Sequence, residues 1–394
     1  MTPANFDVIV FGLGGMGSAA AYHLATRSQR VLGLEQFSPV HDKGSSHGAS
    51  RIIRQAYHED PAYVPLVQRA YQLWEKLQRD VEQPILRLTG GLMIGSATSS
   101  IVTGTLASAA QHNLPHEIFS SADLQRRFPA LRPRPDDTAV FELRAGFLRP
   151  ELAVQAHLEL AAASGAELHF EEPIVHWTAS PSGEGVEVTT GKGSYRARNL
   201  VLAPGAWAAQ FLPELAVPFD VRRHAMCWFQ PPAGVDLFAP DRFPVYIWDV
   251  DGSNVFYGFP AIDGSTGGVK IAMHSGGEPC TPAALSSDIP ASSVEELRRY
   301  IRRFLPALNG ELLRSVPCMY TLTPDEHFVI AQLSETPQVA IAVGFSGHGF
   351  KFSSVIGEIL ADLAISGTTS QSISLFSPDR FNAKKVRNQE LEAP

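Results

Sequence analysis

Three glycines near the N-terminus have the spacing of a phosphate-binding turn. Gly12, Gly14 and Gly17 form a GxGxxG pattern directly after the apolar run 7–11. Such a turn lets the backbone approach a pyrophosphate, and the helix that follows directs free N–H groups toward it. Glu35 ends the next predicted strand, where an acid accepts hydrogen bonds from ribose hydroxyls. The pattern predicts a dinucleotide site that disfavours NADP and leaves FAD and NAD open.

Two arginines follow a loop rich in glycine and serine. Arg51 and Arg54 flank the apolar pair Ile52 and Ile53. Their guanidiniums lie either on a solvated face or in a cavity, and the apolar neighbours favour the cavity. There a guanidinium fork would match a carboxylate bidentately.

A second basic pair lies in a glycine-rich turn near the C-terminus. His348 lies between Gly347 and Gly349, and Lys351 follows two residues later, before most of the last predicted helix. Glycine frees the backbone to bring both side chains close to a ligand. The alternative for His348 is a core histidine whose hydrogen bonds are satisfied.

Three further side chains could take part in chemistry. Lys270 and His274 lie four apart on a predicted strand, so they share one face of it. Cys318 is either a buried structural cysteine or a nucleophile, whose reactive thiolate is favoured by nearby positive charge. Tyr257, Tyr320 and Trp248 are candidates for the wall of a substrate pocket, with core packing as the alternative.

The predicted elements indicate a mixed α/β (α+β) fold. Helices are expected at 18–27, 61–79, 151–165, 293–304 and 352–365, and clear strands at 7–11, 31–35, 168–170, 185–188 and 195–202. We predict a discontinuous Rossmann-like nucleotide-binding domain with an inserted antiparallel-sheet substrate domain. The nucleotide domain is assigned to residues 1–90, 150–215 and 315–394, and the substrate domain to 91–149 and 216–314.

The composition excludes several classes of protein. A net charge of −8 argues against nucleic acid or an anionic membrane as the main partner. The three cysteines form no CxxC pair, so a disulfide framework is not expected. The histidines form no HExxH zinc-binding motif, and segment 344–348 is not a GxSxG nucleophile motif because glycine directly follows its serine. Asp7 interrupts the first apolar run, so no signal peptide is expected, and we predict a cytoplasmic protein.

Eight segments together carry a family resemblance. They are Gly12–Gly17, Gly44–Arg54, Leu202–Trp207, Tyr257–Pro260, Lys270 with His274, Cys318–Thr321, Pro324–Phe328 and Gly344–Lys351. In order and spacing the chain resembles the monomeric sarcosine oxidase and N-methyltryptophan oxidase family, FAD-dependent amine oxidases of the D-amino-acid-oxidase-like fold. The match covers nearly the whole chain.

The resemblance implies a cofactor and a reaction. FAD would be attached covalently to the sulfur of Cys318. The enzyme would oxidise the C–N bond of a secondary amino acid, such as sarcosine or N-methyl-L-tryptophan, to an imine that hydrolyses to an aldehyde. Oxygen would reoxidise the flavin and yield hydrogen peroxide. Family members are often monomers, and we expect a monomer here.

The resemblance also assigns roles to single residues. Arg54 and Lys351 would bind the substrate carboxylate, and Arg51 would lie against the flavin. Lys270 would promote the reaction with oxygen, since a fixed ammonium stabilises a developing superoxide, and His274 and His348 would act beside it. Cofactor contacts would also come from Lys43, Ser46, His47, Gly347, Gly349 and Lys351.

The sequence leaves three alternatives open. The substrate could be another secondary amino acid, such as L-pipecolate, L-proline or a glycated amino acid. The chain could be a dehydrogenase of the same fold that passes electrons to a carrier, although Lys270 argues against this. It could bind FAD without turnover, although the intact set Arg54, Lys270, His348 and Lys351 argues against that.

Overall fold

The glycine-rich turn joins a strand to a helix. In the computed structural model, which describes residues 5–180, 183–215 and 217–381, β1 (Phe6–Phe11) leads into α1 (Gly15–Ala25) and then into β2 (Val31–Leu34). β1 and β2 pair in parallel, so the predicted βαβ unit is present. The small side chains of α1 are buried and let α5 and α8, defined below, pack closely against it.

Seven more α-helices occur in the described residues. They are α2 (Tyr63–Val81), α3 (Ser100–Gln111), α4 (Ser121–Arg127), α5 (Pro150–Ala163), α6 (Ala208–Phe211), α7 (Ala291–Phe304) and α8 (Ser353–Ser366). α2 and α7 are strongly amphipathic, with apolar side chains at helical spacing on the buried face. Each predicted helix is present, with ends shifted by a few residues.

The remaining strands divide among three sheets. They are β3 (Arg51–Ile53), β4 (Leu86–Leu88), β5 (Gly91–Ser96), β6 (Glu117–Ser120), β7 (Asp137–Glu142), β8 (Gly146–Leu148), β9 (Glu167–His169), β10 (Ile174–Ala179), β11 (Val186–Thr190), β12 (Gly193–Leu202), β13 (Asp220–Gln230), β14 (Val245–Asp249), β15 (Val255–Gly258), β16 (Val269–Met273), β17 (Glu278–Pro279), β18 (Glu311–Leu322), β19 (Val329–Gln332) and β20 (Val339–Val343).

The first sheet has a parallel centre. Its order is β10-β11-β12-β1-β2-β9, and β20 also pairs with β12 and with β19. Strands β20, β12, β1, β2 and β9 run parallel, whereas β10, β11 and β19 pair antiparallel. β20 is apolar and buried along its whole length because parallel strands are covered on both faces.

The second sheet is antiparallel with one exception. Its order is β17-β13-β16-β15-β14-β5-β7-β6, and β18 pairs with β13 along almost its full length. Only β14 and β5 run parallel among its described pairs. A third, three-stranded sheet has the order β3-β8-β4. The mixed α/β fold class is confirmed.

The division into two domains stays a prediction. The strands of the first sheet lie within 6–34, 167–202 and 329–343, and those of the second within 91–142, 220–279 and 311–322. β18 therefore crosses the predicted boundary before residue 315. Residues 382–394 of the predicted nucleotide domain lie outside the described residues. Within the part of the chain that the structure describes, no helix is long and apolar enough to span a bilayer.

Candidate active site

One elongated cavity connects the glycine turn with the basic residues. One end is lined by residues 11–16 and by Glu35, and the middle by Gly44, Ser45 and Ser46. The far end is lined by a polar and aromatic set: Arg51, Arg54, His58, Glu59, Tyr257, His274, Cys318, Tyr320, His348 and Lys351. The tertiary structure thus brings together residues from segments separated by some three hundred positions in the sequence.

The glycine turn has the geometry of a phosphate cradle. Gly12 has φ +82°, and a Cβ on Gly17 would lie 1.7 Å from the Gly12 carbonyl oxygen, so the third glycine is required for packing of helix on strand. The Gly15 N–H at the start of α1 donates to Ser46 Oγ at 3.0 Å. Around Gly14, an added Cβ would meet nothing closer than 3.7 Å, which leaves space for a ligand.

Glu35 lies at the same end of the cavity. Its carboxylate accepts hydrogen bonds from the Leu13 N–H at 2.9 Å and the Phe37 N–H at 3.1 Å. These bonds fix the carboxylate in place while Glu35 still lines the cavity. An acid so placed can accept hydrogen bonds from ribose hydroxyls.

Cys318 faces a guanidinium at the far end. It lies on β18 and is buried, and Arg51 Nη2 is 3.4 Å from its Sγ. Arg51, on β3, also donates to the carbonyl oxygens of Ser45 at 2.7 Å and Ser50 at 2.8 Å. The guanidinium is therefore fixed in orientation, and it places a positive charge beside the sulfur.

Arg54 is paired with an internal carboxylate. It is only 1% exposed, and its Nη2 lies 2.8 and 2.6 Å from the two carboxylate oxygens of Glu59. Burial alone would raise the pKa of Glu59, but the charges of Arg54 and, to a smaller extent, of His58, His348 and Lys351 together outweigh burial and hold that pKa well below its usual range. A substrate carboxylate that binds Arg54 therefore competes with Glu59.

Lys351 and His348 are joined through Tyr57. Lys351 Nζ donates to the His348 carbonyl oxygen at 2.6 Å and to Tyr57 Oη at 3.3 Å. His348 Nε2 lies 3.0 Å from the Glu326 carbonyl oxygen, so it carries the proton, and Tyr57 donates to Nδ1 at 2.6 Å. Burial, followed by the charge of Arg54, lowers the pKa of Lys351 to about 7. Burial lowers the pKa of His348 to about 3.

Lys270 lies beside the cavity rather than in its lining. Its Nζ donates to the carbonyl oxygens of Gly48 at 2.7 Å and Ser50 at 2.9 Å. Burial first, and the charge of Arg51 second, lower the pKa of Lys270 well below its usual range. His274, just after β16, lines the cavity itself, and burial lowers its pKa to about 4.

Two tyrosines form part of the wall. Tyr257 on β15 and Tyr320 on β18 approach each other with their hydroxyl oxygens 3.5 Å apart. Gly347, at φ +79°, faces the Tyr320 ring, and an added Cβ there would lie 2.4 Å from it. Gly349 is equally confined, since an added Cβ would lie 2.5 Å from Phe345 Cβ. These glycines let the turn approach the wall closely.

Comparisons with known proteins show the family of this chain. The FAD dependent oxidoreductase family matches residues 7–363. Monomeric sarcosine oxidase of Streptomyces avermitilis is 51% identical over 385 residues, 97% of this chain and 99% of that protein. The chain belongs to this family of FAD-dependent oxidoreductases. The N-methyl-L-tryptophan oxidase of Salmonella heidelberg is 34% identical and covers 96% of this chain and 100% of its own.

Solved structures show the same fold. NikD, described as an unusual amino acid oxidase essential for nikkomycin biosynthesis, superimposes with a TM-score of 0.83 at 25% identity. The superposition covers 95% of this chain and 98% of NikD. The cavity fits FAD in this family because the open space at Gly14 and the fixed carboxylate of Glu35 accommodate a pyrophosphate and a ribose.

Three predicted site residues lie elsewhere. Trp248 is wrong as a wall residue: it is fully buried and stacks at 5.6 Å on Phe256 in the core of the second sheet. The side chain facing the cavity from β14 is the neighbouring Ile247, because side chains alternate along a strand. Lys43 does not line the cavity either, and its exposed ammonium pairs with Asp42 at 3.0 Å, so its contact with the cofactor stays a prediction.

His47 is the third predicted site residue that lies outside the cavity lining. It is buried, its Nε2 lies 3.1 Å from the Gly44 carbonyl oxygen, and it does not line the cavity. Burial and then the charge of Arg51 lower its pKa to about 4, so the ring is neutral near neutral pH. Contact of His47 with the cofactor stays a prediction.

Sequence reasoning missed four residues at the basic end. Tyr57, His58 and Glu59 follow Arg54 within five positions, and Glu59 and His58 line the cavity. Glu59 lies five residues after Arg54, but this spacing alone does not show that the two side chains pair. The fourth is Ile247, for which the sequence offers no signal because strand phase decides between it and Trp248.

Proposed function

We propose that this chain oxidises the C–N bond of a secondary, N-methyl amino acid, with sarcosine or N-methyl-L-tryptophan as the substrate class. The observation that carries the proposal is that Arg54, Lys351 and Cys318 line the same cavity end. The names of the relatives support the substrate class. An amino acid carboxylate is the ligand that two buried cations with aromatic neighbours would select.

The basic residues would perform two tasks. Lys351 and Arg54 bind the substrate carboxylate, with Arg54 released from Glu59 as the ligand enters. The same positive charge lowers the pKa of the substrate amine, so the amine is neutral when it reacts. His274 and His348 remain neutral near neutral pH, because burial keeps the pKa of each at about 4 or below. They therefore add nothing to the positive charge of Lys351 and Arg54.

We also propose that FAD is linked covalently to Cys318. FAD, when bound, supplies the acceptor for the two electrons of substrate oxidation. Arg51 supports the linkage, since its guanidinium lies 3.4 Å from the sulfur and can stabilise a thiolate. The Cys318 side chain is the only thiol that lines the cavity among the described residues.

Oxygen is the proposed electron acceptor, with hydrogen peroxide as product. Lys270 supports this, because its buried Nζ, held by two carbonyl oxygens, can in its protonated form stabilise an anion that forms on oxygen. A monomer in the cytoplasm is the proposed state of the protein. The names of the sarcosine oxidase relatives support the monomer.

A peroxide assay over a panel of amino acids tests the reaction. We expect peroxide with sarcosine or N-methyl-L-tryptophan and little with the primary amino acids. Faster turnover of L-pipecolate, L-proline or a glycated amino acid would replace the proposed substrate. Flavin reduction by substrate without peroxide would indicate a dehydrogenase instead.

Acid precipitation tests the covalent linkage. We expect the yellow colour to stay in the pellet of the wild-type protein and to move to the supernatant for Cys318→Ser. Cys227→Ser is the matched control, because that buried thiol lies in the core of the second sheet. Flavin wholly in the wild-type supernatant contradicts the linkage.

A further inference from the structure

The loop between His47 and Arg51 has an unusual backbone conformation. Gly48 has φ +92° and Ala49 has φ +65°. The left-handed region is disfavoured for alanine, so the surrounding structure must hold the loop there. Successive N–H groups in such a turn converge on one point and form a small anion-binding concavity.

The carboxylate of Glu151 occupies that concavity. A single oxygen, Oε1, accepts hydrogen bonds from the Gly48 N–H at 2.6 Å and the Ala49 N–H at 2.9 Å. Glu151 lies in the first turn of α5, where the helix dipole stabilises a negative charge. Helix α5, which also packs against α1, thus fixes the loop that precedes Arg51.

The opposite side of the loop holds the two functional cations. The carbonyl oxygens of Gly48 and Ser50 accept hydrogen bonds from Lys270 Nζ. The Ser50 carbonyl oxygen also accepts one from Arg51 Nη1 at 2.8 Å. The amides of the loop therefore bind Glu151 while its carbonyls bind Lys270 and Arg51.

We propose that Glu151 is a positioning residue, which holds this loop so that its carbonyl oxygens fix the ammonium of Lys270 and the guanidinium of Arg51 beside Cys318. Glu151 does not line the cavity and touches no reacting group. Glu151 affects turnover only through Lys270, so this part of the inference rests on the proposed reaction with oxygen. The effect of Glu151 on the conformation of the loop is independent of that proposal.

Two substitutions separate the hydrogen bonds from the charge. Because both bonds go to the same oxygen, the amide oxygen of Glu151→Gln can accept both, whereas Glu151→Ala removes them. The direct measurement is amide hydrogen exchange of the peptide that contains residues 47–51, in the purified holoenzyme. We expect exchange at Gly48 and Ala49 to accelerate about tenfold or more in Glu151→Ala and less than about threefold in Glu151→Gln.

The second measurement is the reoxidation of the flavin. The holoenzyme is reduced anaerobically with dithionite and mixed with oxygen in a stopped-flow instrument, so no amino acid substrate is needed. We expect the second-order rate to fall about tenfold in Glu151→Ala and to stay within about threefold in Glu151→Gln. A failure of the proposed substrate class would appear only in the peroxide panel and leaves this measurement intact.

Glu142→Gln is the matched control. Glu142 is another buried carboxylate, which accepts hydrogen bonds from the Gln55 and Ala56 N–H groups of the next loop. Its substitution should leave exchange at Gly48 and Ala49 unchanged. Wild-type protection of these amides in Glu151→Ala would overturn the proposal. Lost protection with unchanged reoxidation would confine Glu151 to a structural role and would overturn it as well.

Discussion

Lys351 gives the most quantitative prediction, which concerns the pH dependence of carboxylate binding. Burial and Arg54 lower its pKa to about 7 in the free enzyme. Below that pH the ammonium is present, and above it the side chain becomes neutral. A bound carboxylate stabilises the ammonium, so the affinity for a carboxylate should be greatest at low pH and fall as the pH rises through the pKa.

The size of the effect follows from the protonated fraction. With a pKa of about 7, Lys351 is about 90% protonated at about pH 6 and about 1% at about pH 9. If only the ammonium form binds, the Kd rises roughly 90-fold over this range. The neighbouring histidines do not contribute, because burial lowers the pKa of His58 and His348 to about 3 and that of His274 to about 4.

A ligand without an amine isolates this effect. Propionate carries only the carboxylate, so titration of a substrate amine cannot mask the trend, and its binding can be followed by the change in flavin absorption. Lys351→Met should weaken binding at low pH and flatten the profile. Lys76→Met, at an exposed lysine of α2, should retain the wild-type profile. A constant Kd for the wild type, or the same slope in Lys351→Met, would refute the reasoning.

Three other substitutions test the geometry. Glu59→Gln removes the charge that competes for Arg54, so the Kd of propionate should fall about tenfold; an unchanged Kd would mean that the two carboxylates do not compete. Trp248→Phe should cost about 1–2 kcal/mol in urea unfolding, because the smaller ring leaves a cavity in the core, while no hydrogen bond of Nε1 is lost among the described residues. It should leave KM for the substrate unchanged, and a raised KM would return Trp248 to the pocket. Gly347→Ala, with φ +79° and a Cβ 2.4 Å from the Tyr320 ring, should lower kcat/KM about tenfold or more, and full activity would show that the turn is not confined.

Local patterns in the sequence were enough to predict the nucleotide end of the cavity. The glycine turn, the helix after it and Glu35 lie within about thirty residues and form one βαβ unit, whose geometry is set by neighbours along the chain. Buried helices were predicted for the same reason, since apolar side chains at helical spacing select the face that packs.

The basic residues at the other end of the cavity were predicted to lie together from the family resemblance rather than from a local pattern. Arg54, Lys270 and Lys351 lie on separate elements, and no periodicity in the sequence brings them together. Their placement depends on long-range contacts, such as the pairing of β3 with β8 before Arg54 and of β16 with β13 at Lys270. Arg54 was also open to interpretation as a solvated surface charge.

The sequence by itself determined the FAD family, the βαβ unit and the set of basic residues with Cys318. The tertiary structure alone decided which side chains face the cavity. The phase of β14 turns Ile247 toward the site and Trp248 into the core, since a shift of one residue along a strand reverses the face. Folding also placed the carboxylates of Glu59 and Glu151 against Arg54 and the 48–50 loop, through contacts whose geometry depends on backbone turns that no residue pattern encodes.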